Sequence, residues 1–550
     1  MKYSHSELLD KIKEIFNGEV NSDVKTLDTY SRDASLLEVK PELVLFPKDS
    51  EDIQKLVKFV SENKADNPAL SITARSAGTC MSGGSLNESI ILDITKHMGG
   101  IKEVTSEEAT ALPGTFYRDF EVETLKHDAL LPSYTASKML NTVGGMVANN
   151  SAGEKTLAYG KTERYVKEMK VIFADGNEYV TKPLNKEELE RKIAQGDYEG
   201  NIYKNLWNLI QENEHAIKYA KPDVSKNSAG YYLWNVWDGN TFDINKLITG
   251  SQGTLCIITE IKFKLVPIKK KSKLFVIFLR NLDHLSELVN EILTTNPESL
   301  ESYDDSTMKL AFKFFPSMLK TMKVHNFFKL MFGFLPEAGM ILTGGIPKLI
   351  LLVEFSDNDE KEIDKKMYEL QKKIAHFGLK TRMSRSEEES SKYWTIRRES
   401  FNLLRQHVKG ARTAPFIDDV IVKPQYLPDF LPKMRKILDE HKLVYTIAGH
   451  AGNGNFHIIP LMNMKDPKNA AVIPIVSDKI YSLVKEYRGS IDAEHNDGII
   501  RTPYLEQMFG HEIITLFKKT KDIFDPKNIF NPGKKVGGTK EYMISHIVRS

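Results

Sequence analysis

Cysteine is nearly absent: the 550 residues include two, Cys80 and Cys256. Two thiols cannot build a four-thiolate iron–sulfur cluster or a Cys-rich zinc site. They do not make the framework of a disulfide-stapled secreted domain either, so a reducing cytoplasm is the expected compartment. Long apolar runs are also missing. No uninterrupted stretch reaches the ~20 residues that span a bilayer. The N-terminal MKYSHSELLDKIKEIFNGEV lacks the basic-then-apolar order of a signal peptide. Charge of one sign is scarce as well: the formal net charge is +2, and nothing global points to nucleic acid. There is no internal repeat and no low-complexity tract.

What remains is an ordinary globular composition, 41% hydrophobic and 27% charged. The length is too great for one core and implies two or three domains. Leu8, Leu9, Ile12, Ile15 and Phe16 recur at helical spacing. ELVLFP at 42–47 reads as a buried strand, followed by a helix capped by Ser50 with Ile53, Leu56, Val57 and Val60 on one face. Further strands read at LSITA, SIILDI and MKVIFADGNEYV, and along the second half of ITGSQGTLCIITEIKFKLVPI, residues 248–268. KKKSK at 269–273 reads as a solvated linker and sets a domain boundary near 270. The second half alternates strands (KLFVIFL, KLILLVEF, LVYTIAG) with amphipathic helices (LDHLSELVNEIL, EKEIDKKMYELQKKIAHFG), which suits helices on one side of a mixed sheet.

Glycine is concentrated in three segments flanked by apolar strands: RSAGTCMSGGSL, residues 132–162, and GSQGTLCIIT. Glycine-rich loops let backbone N–H groups approach an anionic phosphate. One such loop reads equally well as a tight turn; three suggest one long ligand lying across a domain. The segments resemble the FAD-binding domain of the vanillyl-alcohol oxidase type flavoproteins. Pro41 to Pro47 matches the opening Pro-x-x-Val-x-x-Pro, and Arg75-Ser76-Ala77-Gly78-Thr79 matches the loop that follows. Thr142 to Gly153 carries the Gly144-Gly145 pair and Asn150, Tyr159-Gly160 follows, and Gly250 to Thr259 stands where the family has Gly-Ser-Glu-Gly-Thr-Leu-Gly-Ile-Ile-Thr. Gln252 and Cys256 depart from that last pattern. The resemblance implies that Ser76, Ala77, Gly78, Thr79, Ser82 and Gly83, between Arg75 and Gly84, hold the pyrophosphate. It implies that Pro132, Thr142, Gly144, Gly145, Asn150, Gly153, Tyr159, Gly160, Gly253, Ile258 and Asn531 line the rest of the FAD. Some relatives attach the flavin through a histidine where this chain has Thr79, so the resemblance implies non-covalent FAD.

The stretch AGHAGNGNFH, residues 448–457, holds the strongest hairpin signal, Asn453-Gly454. A two-residue turn there pairs His450 with His457 across the strands, with Cβ atoms ~5 Å apart, near enough for two imidazoles to share a metal ion. A solvent-facing histidine pair is the other reading, with Phe456 and Ile458 packing the core from the opposite face. SIDAEHNDG, residues 490–498, offers further ligands; extended, it points Glu494 and His495 in opposite directions.

Gly449 to His457, Ala493-Glu494-His495-Asn496 and Phe524 to Lys534 together resemble the C-terminal domain of FAD-linked D-2-hydroxyacid dehydrogenases of the D-lactate, glycolate and D-2-hydroxyglutarate type. The resemblance spans residues 40–536. It implies an α+β fold: a two-subdomain FAD-binding domain at 41–268 and a substrate-binding cap domain at 269–536, with a mixed or antiparallel sheet covered by helices. Residues 1–40 form an N-terminal helical segment and 537–550 a tail. It also implies His450, His457 and Glu494 as ligands of a divalent ion (Zn²⁺, with Mn²⁺ as the alternative), His495 as the base, and Arg397 binding the substrate carboxylate with Arg398 as second choice. Asn496 stands where the family often has glycine. Phe401 and Ile417 at the positions that hold a second carboxylate favour D-lactate, although Lys409 and Arg412 lie close in sequence. With no iron–sulfur cysteines, electrons must leave to an external acceptor: a quinone, a redox subunit, an electron-transfer protein or O₂. MKLAFKFFPSMLKTMKVHNFFKLMFGFLPEAGM, residues 308–340, carries five lysines among aromatics before its first acid, Glu337. It reads either as a lid over the substrate or as a peripheral membrane contact at 308–335 on the inner face. Other readings are an alkylglycerone-phosphate synthase type flavin transferase and a flavin subunit with no activity of its own.

Overall fold

The computed structural model describes residues 5–313, 345–384, 386, 389–398 and 410–549. Alternation of side chains along strands builds three large sheets, beside two short two-stranded ones. The first of the large sheets has four strands in the order Glu19–Asn21, Leu43–Phe46, Ile90–Asp93, Ile72–Arg75, the last three parallel. Leu43–Phe46 of ELVLFP is fully buried because both sheet faces are covered, which suits a continuous apolar run. Helix Ser50–Asn63 packs on it through Ile53, Leu56, Val57 and Val60. Its cap is Asp49, whose carboxylate accepts from Asp52 N–H at 3.0 Å; Ser50 is already inside the helix. Helix His5–Ile15 closes the other end of this core with Leu8 and Ile12.

The second sheet is antiparallel, five strands ordered Ile101–Val104, Glu108–Ala111, Ile257–Lys264, Val166–Ile172, Glu178–Thr181. The C-terminal segment returns to this half of the molecule: Asn531 Nδ2 donates to the carbonyls of Gly84 (2.8 Å) and Gln252 (2.7 Å), two glycine-rich loops tied by one amide.

The third sheet has eight strands, all pairs antiparallel, centred on Lys271–Leu279, Leu349–Asp357, Ser299–Asp304, Val444–His450 and Asn455–Met462. Along Lys271–Leu279 the odd-numbered Phe275 and Ile277 join the core under helices Leu285–Leu293, Glu360–Lys373, Leu427–Glu440 and Pro467–Glu486. The even-numbered Leu274, Val276 and Phe278 pack with Tyr303, Tyr393 and Trp394 on the opposite face. Of the expected lysine linker, Lys269 and Lys270 lie exposed between strands, while Lys271 to Lys273 are the first part of this strand. Lys271 pairs in register with Asp357, and Lys273 forms ion pairs with Glu360 (2.9 Å) and Asp364 (2.6 Å). Local charge suggested solvent there, but acids of the neighbouring helix supply the counter-charge.

Helix Asp305–Lys313 opens the basic-aromatic stretch; Met308 is buried in the same cluster as Tyr303 and Trp394, and Lys309 pairs with Asp305 at 2.9 Å. Residues 314–344 of that stretch, like Phe401 and Lys409, lie outside the described residues. Among the described residues no helix is long and apolar enough to cross a membrane.

Candidate active site

A cavity of about 1140 Å³ runs from the glycine-rich loops to the histidine hairpin. One end is walled by Arg75, Ser76, Ala77, Gly78 and Thr79, by Gly84, by Gly144, Gly145 and Gly153, and by Gly253 and Ile258; the other by Arg397, His450, His457, Glu494 and His495. Ser82, Gly83, Pro132, Thr142, Asn150, Tyr159, Gly160 and Asn531 do not line it. Thr142 caps helix Val143–Asn149, accepting from Gly145 N–H, while its hydroxyl also meets that of Ser76. Asn150 ends the helix in the left-handed region at φ 48° and turns its amide to Glu163. Glycine is required inside this helix: a Cβ on Gly144 would lie 2.5 Å from Pro113 Cβ, and one on Gly145 would lie 2.9 Å from Ser76 Oγ. The helix can therefore press its N-terminal turn, the end that favours anions, against the loop at 75–79. An elongated cavity with such a turn and three glycine-rich walls fits a dinucleotide. The Arg75 guanidinium donates to the carbonyls of Tyr30 and Arg32 at 3.0 and 2.7 Å.

At the other end the hairpin differs from the expected one. His450 pairs with Asn455, and Ala448 with His457, so the register is shifted by two. The connection spans Ala451 to Gly454: a 3₁₀ turn at Ala451–Asn453, then Gly454 at φ 74°. A type I′ turn needs positive φ at both central residues. Here Asn453 instead uses its amide to donate to Ser225 Oγ at 2.9 Å, and a Cβ on Gly454 would lie 1.9 Å from Val422 O. Because side chains alternate with period two, a shift of two leaves both histidines on one face as diagonal neighbours. Their ring centroids are 5.2 Å apart, and His457 stacks on His495 at 5.1 Å.

Glu494 is the hub. Its Oε1 lies 3.1 Å from His450 Nε2 and also meets the buried Lys226 ammonium. Ligand atoms of Asp419, His457, Glu494 and His495 all lie within 4.8 Å of one another. Asp419 is nevertheless committed elsewhere: Oδ2 accepts the backbone N–H groups of Ala493, Glu494 and His495 at 3.1, 2.6 and 2.7 Å, and Oδ1 accepts from Asn455 at 2.9 Å. With Asp419 committed, His457, Glu494 and His495 remain of that cluster, and His450 Nε2, 3.1 Å from Glu494 Oε1, stands beside it. His457 Nδ1 is buried with no hydrogen-bond partner among the described residues. Burial first, and then His495, hold its pKa well below the ordinary value, so the ring is neutral, the form that binds metal. An imidazole with an orphaned nitrogen, beside a carboxylate and a second imidazole, fits Zn²⁺ chemistry. Burial also opposes protonation of His450, but Glu301 and Glu494 outweigh it and raise its pKa.

His495 sits 3.1 Å from Asp418 through Nδ1, off the hydrogen-bonding angle. Burial disfavours its charge, yet Asp419 and Asp418 push its pKa up to about 10. Asn496 keeps the left-handed turn that glycine would give, at φ 68°, and its amide donates to the carbonyls of Gly250 (2.9 Å) and Asn149 (3.2 Å). Asn149 answers by donating to Glu494 O at 2.9 Å. Gln252, which replaces the family's glutamate, accepts from Gly498 N–H at 2.8 Å. The loop that carries His495 is thus fastened directly to the glycine-rich floor.

Arg397 and Arg398 lie on the helical segment 389–398 and both line the cavity. Arg397 pairs with buried Glu301; Arg398 clasps Glu154 with two bonds, 2.8 and 2.6 Å, and lies over Trp394. Ile417 is a core residue that does not line the cavity, whereas Arg412 does. Sequence reasoning missed Glu301, Lys226, Asp418 and Asp419. The aspartates had a signal, two adjacent acids inside the apolar run APFIDDVIV. Lys226 and Glu301 had none, because their partners lie 268 and 149 residues away.

Comparison with known proteins follows the same division. Residues 41–182 match the FAD binding domain, and residues 268–535 match the domain described as FAD linked oxidases, C-terminal domain. The chain is 27% identical over 543 residues to a D-2-hydroxyglutarate dehydrogenase of Pseudomonas putida, covering 96% of this chain and 52% of that protein. It is 25% identical to the glycolate oxidase subunit GlcD of Bacillus subtilis (92% and 91% covered) and 24% identical to a D-lactate dehydrogenase of Anaerostipes hadrus (96% and 97%). The chain spans about half the length of the D-2-hydroxyglutarate dehydrogenase it matches. Among solved structures, 4-ethylphenol oxidase from Gulosibacter chungangensis superposes with a TM-score of 0.68 at 16% identity, covering 98% of this chain and 97% of that one. An alkyldihydroxyacetonephosphate synthase superposes with a TM-score of 0.63 at 14% identity, covering 96% and 85%.

Proposed function

The chain belongs to the FAD-linked oxidoreductases of the vanillyl-alcohol oxidase type, and from that premise we propose that it oxidises a D-2-hydroxy acid to the 2-oxo acid. The observation that carries this reading is the single cavity joining the glycine-rich cradle to His450, His457, Glu494 and His495. FAD supplies a two-electron acceptor for the hydride leaving the substrate's Cα. A divalent ion held by His450, His457 and Glu494 supplies Lewis acidity that lowers the pKa of the substrate hydroxyl. Arg397 binds the substrate carboxylate, with a guanidinium fork suited to two parallel bonds. His495 takes the hydroxyl proton, and Asp418 and Asp419 stabilise the imidazolium that forms. Only its neutral form can accept a proton, and with its pKa at about 10 flavin reduction should rise with pH toward 10 and fall steadily below it. Asn149 and Asn496 hold that base at a fixed place above the cofactor floor. The flavin is non-covalent, since Thr79 offers no nucleophilic ring, and electrons pass on to an external acceptor.

Arg412 on the cavity wall supports an acid with a second carboxylate, as in D-2-hydroxyglutarate, over D-lactate; the core position of Ile417 removes one argument for the smaller acid. An ether-lipid transferase on the same fold is a weaker reading, because the Glu494–His495 pair has proton-abstraction chemistry to perform. Anaerobic mixing with a panel of D-2-hydroxy acids tests the proposal: the flavin should bleach with D-2-hydroxyglutarate at lower concentration than with D-lactate. A flavin that no member of the panel bleaches refutes it.

A further inference from the structure

Glu301 is a carboxylate at 1% exposure in the middle of the eight-stranded sheet. Burying a charge there is costly unless it is fully paired. Its strand, Ser299–Asp304, runs beside Val444–His450 with Ser302 opposite Gly449 and Tyr303 opposite Ala448. The next step of that register sets Glu301 opposite His450. Oε1 lies 2.6 Å from His450 Nδ1, and Oε2 meets Arg397 Nη2. One carboxylate thus touches a proposed metal ligand with one oxygen and the proposed substrate-binding arginine with the other. The bond to Nδ1 holds a proton on that nitrogen, so Nε2, 3.1 Å from Glu494 Oε1, is the nitrogen that would give up its proton and turn its lone pair to a metal ion. On the other oxygen, the ion pair holds the Arg397 fork at the cavity wall before any substrate arrives.

We propose that Glu301 is a positioning residue that presets both arms of the site, fixing the His450 tautomer for metal and the Arg397 guanidinium for a 2-hydroxy acid's carboxylate, so that the two affinities are coupled through one side chain. This rests on the function proposed above. A substrate carboxylate that draws Arg397 toward itself leaves more of the Glu301 charge to His450, and so strengthens the histidine as a ligand.

Glu301→Gln keeps the volume but offers one acceptor oxygen in place of two, and its NH₂ faces a donor whichever way it turns. In the FAD-loaded variant, FAD content should equal the parent's. Zn²⁺ affinity, titrated calorimetrically against a competing chelator, should weaken about 10–100-fold. At saturating Zn²⁺, the half-saturating D-2-hydroxyglutarate concentration for anaerobic flavin reduction should also rise, with less change in the limiting rate. Glu301→Asp keeps the charge but is one methylene short, and should recover one of the two affinities rather than both. Parent-like affinities for both Zn²⁺ and substrate in Glu301→Gln overturn the inference. A parent that binds no Zn²⁺ overturns the metal reading and this inference together, whereas a parent that binds it beside an unaffected Glu301→Gln overturns this inference alone. If Glu301→Gln fails to retain FAD, Arg397→Met carries the test. Glu301 then serves His450 only, Zn²⁺ affinity should rise severalfold, and an unchanged affinity overturns the proposal.

Discussion

Replacing Asp419 with alanine should loosen the loop that carries the base while leaving the cofactor in place. The magnitude follows from the hydrogen bonds. Ala493 N–H keeps a partner after the substitution, because it also donates to the backbone carbonyl of residue 419 at 3.0 Å. Asn455 keeps Val420 O at 3.2 Å. Glu494 N–H and His495 N–H lose the only acceptor the structure gives them, at 2.6 and 2.7 Å. Two buried donors left unpaired cost about 1–3 kcal/mol each, so about 4 kcal/mol together. Residue 419 sits at φ 143°, which any side chain resists. Alanine bears the same backbone cost as aspartate, so the difference between them reports the carboxylate alone. If loop opening becomes easier by about 4 kcal/mol, hydrogen exchange of the Glu494 and His495 amides should accelerate by roughly 10²–10⁴. Single-turnover flavin reduction should slow in parallel, with FAD content unchanged. Asp419→Gly, which removes the strain as well, should exchange more slowly than Asp419→Ala. Exchange and reduction both at parental rates in Asp419→Ala would refute the reasoning.

Other consequences can be checked more simply. Acid precipitation should release the flavin into the supernatant, since Thr79 stands where a covalent histidine would be; yellow retained in the pellet contradicts this. Asp243 is buried with one backbone bond, from Asn245 N–H at 3.0 Å, and desolvation raises its carboxyl to about 6. Its unfolded value is about 3.9. The folded state therefore holds the proton more tightly, and this group's contribution is present below about pH 4 and lost as pH rises through 6. Above that the ionised form costs of order 3 kcal/mol. Asp243→Asn should accordingly melt near the parent temperature at pH 4 and progressively above it toward pH 8, and a difference that stays flat with pH would refute the assignment.

Much of this was legible in the sequence because it is written locally. The glycine-rich loops, the strand periodicity along Phe275 and Ile277, and the histidine pair all announce themselves within ten residues. The hairpin shows how a local rule can err harmlessly. Asn453-Gly454 pointed to a two-residue turn, contacts with Ser225 and Val422 enforced a longer one, and the resulting shift of two preserved the shared face of His450 and His457. A shift of one would have separated them. Within 269–273, Lys271 to Lys273 proved to open a strand rather than a linker, because acids such as Glu360 and Asp364 come from later elements. The second ring of the site was hidden for the same reason. Glu301, Lys226 and Asp419 gain meaning only when strands far apart in sequence are laid side by side, and no spacing rule connects them. Ile417 was weighed against the second substrate carboxylate by its place in the family's pattern, but the chain turns it into the core.

The central claim is that one cavity unites a flavin with a metal-assisted hydroxy-acid site. It is tested most directly by bleaching the flavin anaerobically with D-2-hydroxyglutarate before chelation, after chelation and after Zn²⁺ is restored. The account predicts full bleaching, then at least a hundredfold slower bleaching with FAD still bound, then recovery. Bleaching at an unchanged rate in protein shown to hold FAD but no divalent ion would contradict it.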